Sequence, residues 1–291
     1  MSNIFIDQLT IIGVGLIGGS VASRLRQEKC VGKIIGVGRG VSNLKLALSE
    51  NLVDEITTDI VEAVKGANLI MIAVPVQQLP EVLLKIKESD NREAIITDVG
   101  STKCDFLKHA EAIIPEFNRN VVPGHPIAGS ERTGAKSADP SLFDARNVIL
   151  CPLERTEDRA LSIVRSVWEI CGAHVRLMST DEHDKIFSLI SHLPHVVSYA
   201  LVHMIARHRD SEQLFDYAAG GFRDFSRIAG SSPEMWADIC RANEGQIVED
   251  LDVFIANLEQ IRDFLKAGKH DELTEIFESA ANARYGWTAG T

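Results

Sequence analysis

The hydrophobic pattern changes character once along the chain, near Ser179. Before that point, short runs rich in isoleucine and valine alternate with longer mixed stretches, as expected for parallel strands buried on both faces. The predicted strands are Leu9–Ile12, Lys33–Val37, Leu69–Val74, Ala94–Asp98, Asn120–Val122, Asn147–Cys151 and Ala173–Met178. The predicted helices between them are Leu16–Lys29, Ser42–Asn51, Gln78–Glu88, Thr102–Ile114 and Glu157–Gly172. This alternation predicts an α/β fold with a doubly wound, Rossmann-type sheet.

The remainder of the chain shows only helical periodicity. Breaks in the pattern fall at His208–Ser211, Gly220–Gly221 and Gly230–Ser232. We therefore predict two domains, an α/β domain over residues 1–179 and an all-helical domain over residues 180–291.

One predicted helix is unusually long. It begins at Ser232-Pro233-Glu234, where a capping hydroxyl, a proline and an acid suit a helix N-terminus, and it runs to about Lys266. Along it, apolar residues spaced four and three apart form a heptad seam: Ile247, Leu251, Phe254, Leu258, Ile261 and Leu265. Such a seam needs a partner helix, either in the same subunit or in a second one. We favour subunit pairing, and hence a homodimer with an all-helical dimerisation domain.

Composition narrows the class of protein. With 30 basic and 41 acidic residues, the formal net charge is −11, which disfavours nucleic acid or an anionic membrane as a partner. The five cysteines are scattered and form no C-x-x-C pair, so we expect reduced, buried thiols. No signal peptide is evident, and no stretch approaches the roughly 20 apolar residues of a membrane span. A cytoplasmic location is the resulting expectation.

The strongest general motif is the glycine-rich run from Gly13 to Gly18, which follows the first predicted strand and opens a helix. In such a motif Gly13 permits the tight turn, Gly15 lets a pyrophosphate approach the backbone, and Gly18 lets helix and strand pack closely. Leu16 and Ile17 begin the helix whose positive end would hold the phosphates. The residues therefore predict that the first domain binds a dinucleotide.

The end of the second strand bears on the choice of cofactor. An NAD site usually has an acid about 20 residues after the glycine turn, to hold the ribose 2′-hydroxyl. Here Gly38 stands at that position, and Arg39 and Ser42 follow, which suits the 2′-phosphate of NADP. The alternative is that Arg39 is a solvated loop residue. We favour NADP, with NAD as the other possibility.

Two unusual segments follow predicted strands, Asp98–Lys103 and Gly124–Gly134. Because ligands bind at the carboxyl ends of parallel strands, these segments are candidates for the active site. His125, held between Gly124 and Pro126, is a candidate base near neutral pH. A loop histidine that hydrogen-bonds backbone would look the same, and position alone does not choose between the two.

These segments, together with Ile190–His195 and Gly220–Ala229, resemble the prephenate/arogenate (cyclohexadienyl) dehydrogenases along nearly the whole chain. The resemblance implies oxidative decarboxylation of prephenate or arogenate, with hydride transfer to NAD(P), on the route to tyrosine. The paired Gly38 and Arg39 depart from the Asp-containing ending of the NAD-specific members.

The resemblance also implies roles for particular residues. His125 matches the catalytic histidine that bonds the ring hydroxyl of the substrate, and Ser101 matches a serine that bonds the same hydroxyl. Arg227 matches the arginine that grips the substrate carboxylate. His195 matches a second active-site histidine, and Glu131 an acid that gates the pocket.

Other functions remain possible from the residues alone. A β-hydroxyacid dehydrogenase shares the two-domain plan but would lack the segment from His125 to Glu131. A non-catalytic NAD(P)-sensing protein would need neither His125 nor Arg227 at the cleft. His192 and His195 suggest a metal only weakly, because no third ligand accompanies them, so we expect no metal site.

Overall fold

A computed structural model describes residues 4–129 and 132–287. Its N-terminal part is built on a six-stranded sheet with the order β3-β2-β1-β4-β5-β6, in which all neighbours are parallel. The strands are β1 (Ile6–Ile12), β2 (Val31–Val37), β3 (Glu55–Thr57), β4 (Leu69–Ile72), β5 (Ile95–Asp98) and β6 (Val121–Val122). This is the strand order of dinucleotide-binding folds, and the predicted Rossmann-type sheet is confirmed.

Helices cover both faces of this sheet. They are α1 (Leu16–Gln27), α2 (Val41–Ser49), α3 (Ile60–Val64), α4 (Leu79–Ser89) and α5 (Cys104–Ile113). Strand β4 shows the consequence, since Leu69 and Met71 enter one apolar cluster while Ile70 and Ile72 enter the other. Because both faces are covered, the strand is continuously apolar. The short elements β3 and α3 were not predicted.

The last strands of this part form a second sheet, which the sequence pattern did not separate from the first. It contains β7 (Gly124–Pro126), β8 (Asn147–Leu150) and β9 (His174–Leu177), with α6 (Asp158–Ile170) between β8 and β9. Strand β7 runs antiparallel to β8, and β8 is parallel to β9. Pro123 separates β6 from β7 and has no N–H for a ladder hydrogen bond, so pairing with the main sheet stops at Val122.

The second part of the chain is helical, as predicted, and no strand follows Leu177 among the residues that the structure describes. Its helices are α7 (Thr180–Phe187), α8 (Leu193–Ala206), α9 (Ser211–Asp216), α10 (Gly220–Ser226), α11 (Pro233–Ala242), α12 (Glu244–Ala267) and α13 (His270–Gly286). A π-helical turn over Ser188–His192 joins α7 to α8. Pro194 lacks an N–H and its ring would crowd the carbonyl four residues earlier, which is why the regular α pattern is interrupted there.

The prediction of one helix from residue 232 to 266 is wrong at a single position. The start is as expected, since Ser232 Oγ accepts a hydrogen bond from Met235 N (3.3 Å), but the helix ends at Ala242 and α12 begins at Glu244. Asn243, between them, has φ −121° and ψ 33°, and its buried side chain donates to the carbonyl of Asp184 (2.9 Å). This long-range hydrogen bond, which periodicity does not reveal, accompanies the break.

The stretch from Thr180 to Ala206 is 27 residues long, and its most apolar window has a mean hydropathy of 1.4, enough by length and composition to cross a membrane. By that measure the expectation that no stretch approaches a span was wrong. The same helix buries His183, Asp184 and His192, so one of its faces belongs to the protein interior. Its exposed apolar side chains include Leu189, Ile190 and Met204.

Candidate active site

The glycine-rich turn between β1 and α1 is shaped by close backbone packing. Gly13 has a φ of +102°, and a Cβ placed on it would lie 2.3 Å from the carbonyl oxygen of Ala73. A Cβ on Gly18 would lie 2.6 Å from the carbonyl oxygen of Gly13. A Cβ on Gly15, in contrast, would meet nothing within 4 Å. Gly13 and Gly18 are thus demanded by the fold, whereas Gly15 leaves open space beside the turn.

This open space faces the start of α1. Gly15 is the N-cap of the helix and has no side chain, so it cannot cap the N–H groups of the first turn at Leu16 and Ile17. Free N–H groups and the positive end of the helix dipole attract phosphate. The turn therefore fits the pyrophosphate of a dinucleotide.

The end of β2 lies beside the same turn, because Gly13 N donates to the carbonyl of Val37 (2.8 Å). Gly38 follows directly, and both Arg39 and Ser42 are exposed. A Cβ on Gly38 would meet Leu44 at 3.5 Å, an ordinary contact, so this position can accept a larger side chain without strain. The arrangement leaves Arg39 available to a group bound at the end of β2.

Asn43, which the sequence did not single out, ties the glycine turn to a distant segment. Its Nδ2 donates to the carbonyl of Val14 (2.8 Å), and its Oδ1 accepts from Ala135 N (2.9 Å). Ala135 follows the loop after β7. Because asparagine is common near helix starts, this role cannot be recognised from the sequence.

The candidate base His125 lies on β7 and meets the helical part of the chain. Its Nδ1 is 2.8 Å from Nε2 of His183, on α7. The other ring nitrogen of His183, Nδ1, is 2.7 Å from Oδ1 of Asp184. His183 is fully buried and Asp184 nearly so, whereas His125 is partly exposed. The three side chains form a line whose most exposed member is His125.

Asp184, on α7, is held in place by hydrogen bonds from the backbone at the start of α5. Its two carboxylate oxygens accept hydrogen bonds from Lys103 N (2.8 Å) and Cys104 N (2.9 Å). Burial raises the pKa of the Asp184 carboxyl, but the hydrogen bonds from His183 and from these two amides outweigh it, and the pKa lies below its usual value. Asp184 is therefore ionised at neutral pH.

A buried ion pair holds the residue before His125. Nζ of Lys103 is 2.5 Å from Oδ2 of Asp98, and both side chains are buried. The same ammonium donates to the carbonyl of Gly124 (2.7 Å), and Oδ1 of Asp98 accepts from Gly124 N (3.0 Å). Gly124 is thus hydrogen-bonded on both of its backbone groups. The pair fixes the backbone from which His125 projects.

Burial keeps the histidines of this region neutral. It lowers the pKa of His125 well below its ordinary value, and the neighbouring His183 and the positive charge of Lys103 lower it further. Burial likewise lowers the pKa of His183, and it lowers the pKa of His192 to about 4. A neutral imidazole at pH 7 can accept a proton, as a general base must.

A second cluster lies on the helical side. The ring of His195 stacks on Trp236 with centroids 3.5 Å apart, and its Nδ1 donates to the carbonyl of Ser191 (2.9 Å). Burial lowers the pKa of His195, and the positive charge of Arg227 also lowers it. Arg227 is exposed and begins the 3₁₀ turn after α10.

The two clusters are connected through His192. This buried ring accepts a hydrogen bond from Asn243 Nδ2 (3.2 Å), which also donates to the carbonyl of Asp184. The ring of His192 lies 6.2 Å from that of Trp236. A continuous set of contacts therefore leads from His125 to His195.

Two family models match this chain. The model described as the nucleotide-binding domain of prephenate dehydrogenase matches residues 21–177, and the one described as its dimerization domain matches residues 179–279. The chain belongs to the prephenate dehydrogenase family.

Full-length relatives support the assignment. The chain is 35% identical to the prephenate dehydrogenase of Bacillus subtilis over 285 residues, covering 96% of this chain and 76% of that protein. It is also 35% identical to the cyclohexadienyl dehydrogenase of Zymomonas mobilis, covering 95% of this chain and 94% of that protein. The crystal structure of Aquifex aeolicus prephenate dehydrogenase with hydroxyphenyl propionate and NAD+ superposes with a TM-score of 0.90 at 34% identity, covering 96% and 97% of the two chains.

Of the residues predicted from the family motifs, His125 lies on β7, whereas His195 and Arg227 lie in the helical part of this prephenate dehydrogenase family member. Ser101 is partly buried in the loop between β5 and α5, beside Gly100 and Thr102, which line a small cavity at the carboxyl ends of β4 and β5. Glu131 lies outside the described residues. No group of three His, Cys, Asp or Glu side chains able to hold a metal ion occurs within residues 4–129 and 132–287.

Several residues of this site were not predicted from the sequence. His183 and Asp184 lie in the first turns of a helix beside Asp181 and Glu182, so the sequence indicates only acids near a helix N-terminus. Asp98 and Lys103 could have been found from the sequence, because they are the two ends of the unusual segment Asp98–Lys103. Their pairing depends on the fold.

Proposed function

We propose that this protein catalyses the oxidative decarboxylation of prephenate or arogenate, with transfer of hydride to a nicotinamide dinucleotide. One observation carries the proposal most directly. A neutral histidine, His125, contacts His183 and follows Gly124, which the Lys103–Asp98 pair holds at the carboxyl end of β5, in the sheet that also forms the glycine turn. Family membership supports the same reaction.

When bound, the dinucleotide supplies the hydride acceptor. The chain supplies a base and orientation. His125 accepts the proton of the ring hydroxyl, whose oxygen becomes a carbonyl as hydride leaves the same carbon. The carbonyl then serves as the electron sink for loss of CO2. Ser101 bonds the same hydroxyl and keeps it directed at His125.

Arg227 binds a carboxylate of the substrate. Its planar guanidinium can make two parallel hydrogen bonds to a carboxylate, which a lysine cannot. The charge of Arg227 acts on His195, which is stacked on Trp236, and in this proposal the three side chains form the helical wall of the substrate site. The substrate thus lies between this wall and the dinucleotide.

Turnover with defined substrates tests the function. Purified protein is mixed with prephenate or arogenate and with NAD or NADP, and reduced nicotinamide and released CO2 are measured together. We expect equal amounts of both products with at least one substrate. Dinucleotide binding without turnover on either substrate would favour the sensing protein, and turnover only on β-hydroxyacids would favour the other dehydrogenase class.

For the cofactor we propose a preference for NADP. Gly38 brings no carboxylate to the end of β2, and Arg39 is exposed beside it. The double variant Gly38→Asp with Arg39→Ala should move kcat/KM toward NAD, and the space around Gly38 accepts the new side chain. Equal or better use of NAD by the unchanged protein would contradict the preference.

We also propose a homodimer paired through the helical part. The match to a dimerization domain supports it, as do apolar side chains of the seam on α12 that are half exposed in the single chain: Leu258 at 49% and Leu265 at 57%. Replacing Leu251 and Leu258 with Glu should dissociate the pair, because buried charge is costly. Light scattering that finds a monomer of the unchanged protein at micromolar concentration would refute the dimer.

A further inference from the structure

The hydrogen bonds along the line Asp184–His183–His125 determine which ring nitrogen of each histidine carries a proton. Each neutral histidine carries its proton on one of two nitrogens, and only the nitrogen without a proton can act as a base. Which nitrogen of His125 is free can be worked out from the groups at the far end of the line.

Asp184 determines the first proton. Backbone amides can only donate, so its carboxylate oxygens are acceptors toward Lys103 N and Cys104 N. An ionised carboxylate has no proton to give to His183, which lies 2.7 Å away. Nδ1 of His183 must therefore carry a proton and donate it to Asp184.

His183 determines the second proton. It is fully buried, and burial lowers its pKa, so with Nδ1 protonated its Nε2 holds a lone pair. Nδ1 of His125 lies 2.8 Å from that lone pair and must donate. In neutral His125 the remaining nitrogen, Nε2, is then the acceptor.

We infer that Asp184 and His183 act as positioning residues that hold His125 in the tautomer with its proton on Nδ1, leaving Nε2 as the base. This inference deepens the proposed function and rests on it for its catalytic meaning. The charged and titratable groups around the line are Lys103 at the start of α5, Asp98 on β5 and His192 in the π turn. The hydrogen bonds that the structure describes for these three side chains go to groups other than the ring of His125.

The line also stabilises the product of proton transfer. When the substrate hydroxyl gives its proton to Nε2, the His125 ring becomes positive while its Nδ1–H still donates to His183. His183 in turn donates to the Asp184 carboxylate, which favours the positive charge. Because α7 belongs to the helical part, His125 is held in this tautomer only when the two parts of the chain are packed together.

A matched pair of variants at His183 tests the idea. In His183→Gln the side-chain carbonyl can reach the place of Nε2 and accept from His125, whereas His183→Met has similar length and no comparable acceptor. We expect kcat of the Gln variant to stay within about tenfold of the unchanged protein, and that of the Met variant to fall by about 100-fold or more, within the usual contribution of a positioned base. KM for the dinucleotide should be the same in both, and thermal unfolding shows whether each is folded.

A second measurement does not depend on activity. Nitrogen NMR of histidine-labelled protein distinguishes protonated from unprotonated ring nitrogens, and His125→Asn identifies the signals of His125. At neutral pH we expect Nδ1 of His125 to be protonated and Nε2 unprotonated in the unchanged protein, with a mixture of tautomers in His183→Met.

The outcomes separate the two proposals. Protonated Nε2 in the unchanged protein, or equal kcat for the Gln and Met variants when both are folded, would overturn the tautomer assignment. The expected tautomer in a protein that turns over no substrate would sustain the assignment and refute the proposed function instead.

Discussion

The glycine turn and the histidine line are built in opposite ways. The turn is made of backbone, spans the six residues from Gly13 to Gly18, and needs the absence of side chains at Gly13 and Gly18. The line is made of buried side chains, joins residues 58 positions apart, and crosses from the α/β part to the helical part. The first presents backbone N–H groups whose charge state does not change with pH, while the second depends on which groups carry protons.

This difference implies different responses to change. A backbone site should respond to added bulk and be nearly indifferent to pH. A buried line of histidines should respond to single-atom changes in hydrogen bonding and to acid. Four experiments, taken from the largest expected effect to the smallest, can break or sharpen this contrast.

The largest effect is expected at the base. His125→Asn keeps a polar side chain but removes the imidazole, so kcat should fall by about 10²–10⁴-fold, the usual contribution of a positioned base. The affinity for the dinucleotide, measured by titration, should not change. A loss confined to KM would mean that His125 binds substrate and does not take the proton.

At the turn, two alanine variants should differ in which property they lose, stability or dinucleotide affinity. Gly13→Ala places a Cβ at a positive φ and against the carbonyl of Ala73, which should lower the free energy of unfolding by about 2–5 kcal/mol. Gly15→Ala meets no atom within 4 Å, so its stability should be nearly unchanged while its dinucleotide Kd rises at least about tenfold. Chemical denaturation and binding titration measure the two quantities. Equal loss of stability in both variants would show that Gly15 is also a folding requirement.

Acid should destabilise the buried histidines, both those of the line and the neighbouring His192. His192 has an ordinary pKa of 6.5 when unfolded and about 4 when folded, so below pH 6.5 the unfolded chain binds more protons and stability falls with pH. At 1.36 kcal/mol per unit of pKa, His192 alone should remove about 3 kcal/mol of unfolding free energy by pH 4. His125 and His183 shift in the same direction and add to this loss. Denaturation curves between pH 7 and pH 4 measure it, and a His192→Gln variant that lost stability as steeply would exclude His192 as the source.

The smallest effect concerns substrate binding. Loss of a charge-assisted contact costs about 1.5–3 kcal/mol, so Arg227→Ala should raise KM for prephenate or arogenate by about tenfold or more. The dinucleotide KM should change little. Arg223→Ala, four residues earlier and also exposed, is the matched control and should do much less. If the control is equally or more damaging, the substrate arginine has been placed one helical turn too late.

Much of the fold was accessible from the sequence, for a local reason. Buried parallel strands such as Leu69–Ile72 are continuously apolar, and the helix start at Ser232-Pro233 has its own cap and proline. Both depend on neighbours within one element. The roles of Ser101, His125, Arg227 and His195 came from motif resemblance, and they stay predictions to be tested by the variants above.

The sequence by itself determined the α/β alternation, the glycine turn and the helical second part, because each follows from periodicity or from residues adjacent in the chain. Only the tertiary structure decided that β7, β8 and β9 form a separate sheet and that Asn243 interrupts the long helix. It also decided that His183, itself bonded to Asp184, hydrogen-bonds His125. Each of these depends on hydrogen bonds between residues far apart in sequence. A hydrogen bond needs a donor and an acceptor within about 3 Å, and that proximity is set by the packing of whole elements, which no local pattern records.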